Sequence, residues 1–310
     1  MKNGASGSRP GMEASRPKAG TRVGVGPGPL VLIKPAHPVL KESEHRLIGD
    51  FIEREFGIRM PSAKKALIEG RLGKRLTACG IASYGEYFEF ITRDPRGRDE
   101  FLHFTDLVST HETSFFREDA HFRQLSATVL PNLLSRSGRR EIRVLSAACS
   151  SGEEAYSLGM WISRDLEHKG RGHSLAIEGF DLSPRMVDVA RRGVYTADRV
   201  AKIPPDLRLR WLMRSRDPGK DLYRFVPELR GRMAFHTGNL LSDLGLLHES
   251  YDIIFCRNVL IYFERANQSL AIDALLSRLS PGGYLFLGHS ESLSGSGQAM
   301  SRVAMSVFRK

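Results

Sequence analysis

Glu141-Ile142-Arg143-Val144-Leu145-Ser146-Ala147-Ala148-Cys149-Ser150-Ser151-Gly152-Glu153-Glu154 is the stretch that decides the fold of this 310-residue chain. An apolar run from Glu141 to Ala148 ends on small residues, and a helical pattern then runs from Glu153 to His168. A second apolar run, Leu175 to Leu182, follows. Strand, helix, strand in that order is a β-α-β unit, which predicts a parallel pair. The small residues at the turn let backbone amides approach a ligand, and the acidic pair gives that ligand a sign. A pyrophosphate at the helix start would be repelled by Glu153 and Glu154, whereas a cationic amino-acid moiety would be attracted. Acidic residues in a first turn also simply complement the helix dipole, so the pair alone leaves both readings open.

Downstream, strand signals recur at Met233–Asn239, Tyr251–Cys256 and Tyr284–Gly288, with a helix over Arg265–Leu279 and a last edge strand over Ser301–Arg309. This alternation predicts an α/β fold, a twisted and mostly parallel sheet between helices, with ligands over the carboxyl ends of the strands. The pattern breaks between Ile203 and His236, where prolines and glycines flank short runs such as Leu222–Val226, and a small antiparallel insertion is expected over about 203–236. Asp181, ending its strand, is placed to accept ribose hydroxyls, or else to cap the helix that Ser183-Pro184 begins. Beyond Tyr251–Cys256 the apolar run stops abruptly at Arg257-Asn258, where Asn258 suits amide contacts to a cofactor and Tyr262 could close over the reacting centre. Together these point to a nucleoside with a cationic far end, as in S-adenosylmethionine, which carries an ammonium and a sulfonium.

Upstream, from Val39 to Val108, the pattern is helical: Leu47, Ile48, Phe51, Ile52 and Phe56, then Leu67, Ile68, Leu72 and Leu76. Ser62 is positioned to cap the second helix, Gly80 to end it, and Ser83 with Glu86 to form a capping box for the third. Lys64, Lys65, Arg71, Lys74 and Arg75 surround the second stripe, fit either to dock an acidic helix or phosphate backbone or merely to solvate the face. Residues 1–38, rich in Gly and Pro with little apolar periodicity, are expected to be a disordered tail. The organisation expected is therefore a tail over 1–38, a helical domain over 39–108 and a catalytic domain over 109–310.

Hydrophobic residues at 41% and charged residues at 26% are ordinary for a globular protein, and no apolar run approaches the roughly 20 residues of a membrane span. Cys79, Cys149 and Cys256 are too few and too scattered for a disulfide scaffold or a zinc site, and the first residues lack the apolar core of an export signal. A cytoplasmic protein is expected. The net charge of +11 favours acidic partners without choosing between RNA and an acidic protein segment. His103, His111, His121, His236 and His289 show no metal-ligand spacing, and no metal is expected.

With these segments in hand, the chain resembles the chemotaxis receptor methyltransferase (CheR) family. The resemblance rests on Thr113-Ser114-Phe115-Phe116-Arg117-Glu118, Ser151-Gly152-Glu153-Glu154-Ala155-Tyr156-Ser157, Cys256-Arg257-Asn258-Val259-Leu260-Ile261-Tyr262-Phe263 and Gly288-His289-Ser290-Glu291-Ser292. It implies a Rossmann-like class I S-adenosylmethionine-dependent methyltransferase sheet, preceded by a small all-α domain. It also implies that His111, Thr113 and Arg117 line the cofactor site. Glu153 would hold the cofactor's amino group, with Glu154 the alternative, and Asp181 its ribose. Asn239, Leu240, Asn258 and Val259 would supply the remaining contacts, and Arg117, Asp181 and Tyr262 would surround the transferred methyl. Two departures stand out: His111 replaces an expected Asn, and Ala155 a usual Pro.

The activity implied is O-methylation of glutamate side chains on the cytoplasmic domain of chemotaxis receptors. A monomer would dock through the basic helix at 62–79 and the β insertion, with no nucleic acid and no membrane insertion. Two rivals remain at this point: a same-fold enzyme acting on RNA or a small molecule, and a non-catalytic S-adenosylmethionine-binding module.

Overall fold

The computed structural model describes residues 38–136, 140–169, 172–217, 219–293 and 299–310; the tail expected over 1–38 lies outside these except for Pro38. Helices α1 (Glu42–Phe56), α2 (Lys65–Cys79), α3 (Tyr84–Arg93) and α4 (Arg98–Val108) make up the helical segment. Ile48, Ile52 and Phe56 in α1, and Ile68, Leu72 and Leu76 in α2, recur every fourth residue and are buried. Leu47 and Leu67, expected in the same stripes, stand at their edges and are exposed. Ser62 does not cap α2. The chain enters instead through a 3-10 turn, Ser62–Lys64, without a side-chain cap bond. Gly80 ends the helix with φ at 68°, where its N–H returns to the carbonyls of Leu76 and Thr77. Ser83 Oγ accepts the Glu86 amide, whereas the Glu86 carboxylate reaches back to the Ala82 amide, one residue before the partner expected in a capping box.

Much of the basic cluster on α2 turns out to be structural. Arg75 forks onto the buried Glu100, which Tyr87 also donates to, Arg71 donates to the carbonyls of Leu107 and Ser109, and Lys65 pairs with Glu42. Lys74 remains on the exposed face.

Seven strands form the main sheet, among the described residues. These are β1 (Glu141–Ala147), β2 (Ser174–Asp181), β6 (Met233–Thr237), β7 (Tyr251–Cys256), β8 (Leu279–Leu287), β9 (Ser301–Ala304) and β10 (Val307–Arg309). Their order is β6-β2-β1-β7-β8-β10-β9, parallel from β6 to β8 and antiparallel thereafter. The single edge strand expected over 301–309 is a hairpin, because Ser306 takes a left-handed φ of 56° and turns the chain back. Alternate residues serve opposite faces: Val144, Ile253, Phe255, Tyr284 and Phe286 join one core, whereas Leu145, Ile254, Cys256, Leu285 and Leu287 join the other. That second core also holds the apolar stripes of α1 and α2, so the helical segment packs as part of the sheet's covering layer.

The remaining helices are α5 (Asp119–Gln124), α6 (Leu130–Leu134), α7 (Glu153–Lys169), α8 (Pro184–Arg192), α9 (Ala197–Val200), α10 (Pro205–Trp211), α11 (Pro227–Arg230) and α12 (Arg265–Ser277). A second, antiparallel sheet of order β3-β5-β4 joins β3 (Val194–Thr196), β4 (Leu212–Arg214) and β5 (Leu222–Phe225). The insertion thus begins at Val194 and not near Ile203. Three residues are too short to show strand periodicity, and only pairing of Val194–Thr196 with Leu222–Arg224 makes them a strand. Phe225 stacks on Tyr156 of α7 at 4.1 Å and 6° between planes, fastening the insertion to the main core.

Register carries the functional consequence. Ala147 lies beside Phe180 and Cys256, and Asp181 beside Thr237, so β1, β2, β6 and β7 all end at one edge. The turn after β1 needs Gly152, whose φ is 93° and where a Cβ would lie 2.8 Å from the Cβ of Ala190 on α8. We expect Gly152→Ala to destabilise the protein by about 2 kcal/mol or more, from left-handed strain plus overpacking. Chemical denaturation of the two proteins measures the difference.

Candidate active site

A cavity of about 960 Å³, counted to its open mouth, lies over that edge. Its walls come from Phe56 and Ile58 at and beyond the end of α1, from residues 109–110, 112–114 and 116–117, and from the turns that follow β1, β2, β6 and β7. Of the site residues expected from sequence, Thr113, Arg117, Asp181, Asn239, Leu240, Asn258, Val259 and Tyr262 all line it.

Asp181 is the anchor. Its Oδ2 accepts the Ser150 amide at 2.7 Å and its Oδ1 the Ser183 amide at 2.9 Å, while burial pushes its carboxyl above the usual range. The helix-cap role belongs to Ser183, whose Oγ accepts the Met186 amide. Asp181 therefore holds the turn after β1 against the turn after β2 and still faces the cavity.

The acidic pair divides. Successive helical residues point about 100° apart, so only one of the two can face the crevice. Glu153, with its side chain fully buried, pairs with Arg199 of α9 and accepts Ser151 Oγ at 2.7 Å. Glu154 lines the cavity instead, accepting Ser146 Oγ at 2.7 Å with Arg257 Nε at 3.2 Å. This corrects the choice of Glu153 as the cavity acid: the short helix α9, which supplies Arg199, captures it. Burial raises the Glu154 carboxyl, an effect that Arg257 opposes.

His111 does not line the cavity. Its Nε2 lies 2.7 Å from the Asp106 carbonyl and 3.3 Å from that residue's carboxylate, and only its backbone carbonyl meets the β1 turn, accepting Ser150 Oγ at 3.2 Å. Where Asn would present a short amide, the longer imidazole finds Asp106. Arg117 stands between two non-glycine residues in left-handed conformation, Phe116 at φ 53° and Glu118 at φ 57°, and its Nη1 donates to the Glu112 carbonyl at 3.1 Å.

Arg257 is a residue that sequence reasoning noted without assigning a role. Nearly buried, its guanidinium donates to the Arg117 carbonyl at 2.7 Å, meets His121 Nδ1 at 3.2 Å, and faces Glu154. A polar residue directly after an entirely buried strand was the available signal. The ligand atoms of Glu118, His121 and His289 fall within 4.8 Å of one another, a convergence that their sequence spacing hides. Arg257 already places a positive charge among them. Burial, and next the charge of Arg257, press His121 down to about 4.

A sheet reversed only at its last strands, carrying an acid-lined cavity over its parallel edge, defines a Rossmann-like class I S-adenosylmethionine-dependent methyltransferase. The model described as "CheR methyltransferase, SAM binding domain" matches residues 111–308, and "CheR methyltransferase, all-alpha domain" matches 43–109. The chain is 34% identical over 260 residues to a chemotaxis protein methyltransferase of Borreliella burgdorferi, covering 83% of this chain and 90% of that one. It is 36% identical over 254 residues to chemotaxis protein methyltransferase 1 of Pseudomonas aeruginosa (81% and 90%), and 33% over 256 to the Escherichia coli chemotaxis protein methyltransferase (82% and 86%). This protein belongs to the CheR methyltransferase family, and its cofactor is S-adenosylmethionine. Among the described residues no helix is long and apolar enough to cross a membrane.

The depressed pKa of His121 makes a signed prediction. Unfolded histidine binds a proton near pH 6.5, but the folded protein resists until about 4, so stability is complete above about 6.5 and is lost as pH falls toward 4. The full shift corresponds to about 3 kcal/mol. In His121→Gln, which keeps an acceptor for Arg257 but does not titrate, the fall in stability across this window should be shallower than in the parent, as urea titrations at several pH values would show.

Proposed function

We propose that this protein methylates glutamate side-chain carboxylates on the cytoplasmic domain of chemotaxis receptors, forming methyl esters. The observation that carries the proposal is the division of charge in the cavity: Glu154 and the buried Asp181 on its floor, with Arg117 and Arg257 in its wall. Two carboxylates held out of water favour a ligand that brings its own positive charge. S-adenosylmethionine fits that need, and when bound it supplies a sulfonium methyl whose bonding electron pair departs with sulfur, leaving S-adenosylhomocysteine.

Glu154, taking the place first given to Glu153, would hold the cofactor's amino group, and Asp181 its ribose hydroxyls. Asn239, Leu240, Asn258 and Val259 would frame the remainder, with Thr113 beside them. A substrate glutamate is already ionised near neutral pH, so one of its oxygens can form the new bond to carbon without a general base. No proton needs to move. The chain's task is then alignment and exclusion of water. Arg117, tethered at its Nη1 by the Glu112 carbonyl, can orient the incoming carboxylate without claiming both of its oxygens. Tyr262, against whose ring Lys64 Nζ lies at 5.5 Å, would close the far side of the reacting centre. Receptor docking would use the exposed face of α2 and the antiparallel insertion.

Incubation with methyl-labelled cofactor and a receptor cytoplasmic fragment should give label that alkali releases as methanol. Label resistant to alkali, or found on RNA instead, would refute the assignment. In the same assay Arg117→Ala should lower kcat/KM by about 100-fold through lost orientation; unchanged turnover would remove Arg117 from the mechanism. For the acidic pair, Glu154→Gln should weaken S-adenosylhomocysteine binding by about tenfold, a loss of roughly 1.4 kcal/mol. Glu153→Gln should lower thermal stability with near-normal affinity in the folded protein. Calorimetry on both variants distinguishes the two carboxylates.

A further inference from the structure

The turn after β7 has a problem of its own making. Asn258 adopts a left-handed φ of 59°, and the chain then enters a 3-10 turn, Leu260–Tyr262, whose first residues have no side-chain cap of their own. The amides at its start would be left without acceptors in a buried place. Glu291, far along the chain and itself nearly buried, supplies them all. Its Oε1 accepts the amides of Val259 at 2.9 Å and Leu260 at 2.8 Å, with Ile261 at 3.4 Å; its Oε2 accepts those of Asn258 at 2.9 Å and Gly288 at 2.7 Å. The fit is close enough to dictate a neighbour: a Cβ at Gly288 would lie 2.7 Å from Oε2 and 3.0 Å from the Asn258 amide nitrogen.

We infer that Glu291 is a positioning residue for the cofactor, holding Asn258 and Val259 at the cavity wall through their backbone amides, and Tyr262 through the turn those amides begin. It touches neither the cavity nor the reacting atoms, and acts by fixing a strained turn that would otherwise relax. This inference rests on the reading above that the Asn258–Tyr262 turn contacts the cofactor. A carboxylate is required and a carboxamide will not serve, because both oxygens receive N–H donors. An –NH2 group at either position would confront those donors with more donors.

The test compares E291Q with Asn258→Ala in the full chain, using S-adenosylhomocysteine calorimetry together with steady-state kinetics. E291Q should raise the Kd and the KM for S-adenosylmethionine by tenfold or more, despite near-identical shape, with the KM for the receptor fragment unchanged. Gly288→Ala, which displaces the same carboxylate, should behave alike. If Asn258→Ala weakens binding but E291Q stays within twofold of the parent, Glu291 has no positioning role, although the turn remains a cofactor contact. If Asn258→Ala also leaves binding intact, the reading of the turn itself fails and the inference falls with it. Should E291Q not fold, hydrogen exchange on the parent decides. The amides of 258–260 and 288 should be strongly protected without ligand, and exchange at unstructured-chain rates would overturn the proposal.

Discussion

The grip of one carboxylate on two turns is the constraint from which the rest of the site follows. Asp181 ends β2, and its oxygens receive the Ser150 and Ser183 amides, so the loop after β1 cannot move independently of the start of α8. Each oxygen receives one of these amides and keeps a further lone pair, and the residue also lines the cavity. Burial raises its pKa, which means that folding holds the group in a state its surroundings disfavour. Glu154 is in a similar position with a different partner, Arg257. A cavity built on two such groups is electrostatically incomplete, and a cationic donor completes it.

Around this floor the walls are cross-braced from distant segments. Asp106 at the end of α4 accepts Ser183 Oγ and, at 2.6 Å, Arg185 Nε; Asn239 Nδ2 donates to the Glu55 carbonyl at 2.6 Å; and the Arg59 amide donates to the Tyr262 carbonyl at 2.8 Å. Each bond ties the helical segment to a turn that lines the cavity. The helical segment is thereby part of the site's frame, which explains why Phe56 and Ile58 appear among its lining residues.

Much of this was legible in the sequence because it depends on local pattern. The apolar runs at 141–148 and 251–256, the four-residue spacing of Ile48, Ile52 and Phe56, and the glycine after α2 each announce their element without tertiary help. What escaped was decided by partners remote in sequence. Glu153 and Glu154 are equivalent as neighbours in a string, and only Arg199 and Arg257, arriving from α9 and from the end of β7, separate their fates. Val194–Thr196 is a strand only because Leu222–Arg224 lies beside it. The basic cluster on α2 reads as a surface feature, yet Glu100 and the carbonyls ending α4 absorb two of its five members, Arg75 and Arg71.

Arg257 and Glu291 show how a site can depend on residues that gather its other groups into place. Arg257 gathers the Arg117 carbonyl, His121 and Glu154 about one guanidinium, and Glu291 gathers backbone amides about one carboxylate. Arg257 is part of the cavity wall and Glu291 stands behind it, one cationic and one anionic, and each supplies partners to polar groups that the fold has buried. Arg257 offsets the cost of burying Glu154 only in part, since that carboxyl remains raised. A stronger pairing would satisfy the floor and remove its attraction for a cation. The two residues thus leave different balances: beside Arg257 the Glu154 carboxyl stays raised, whereas Glu291 meets the amides of its turn with both oxygens.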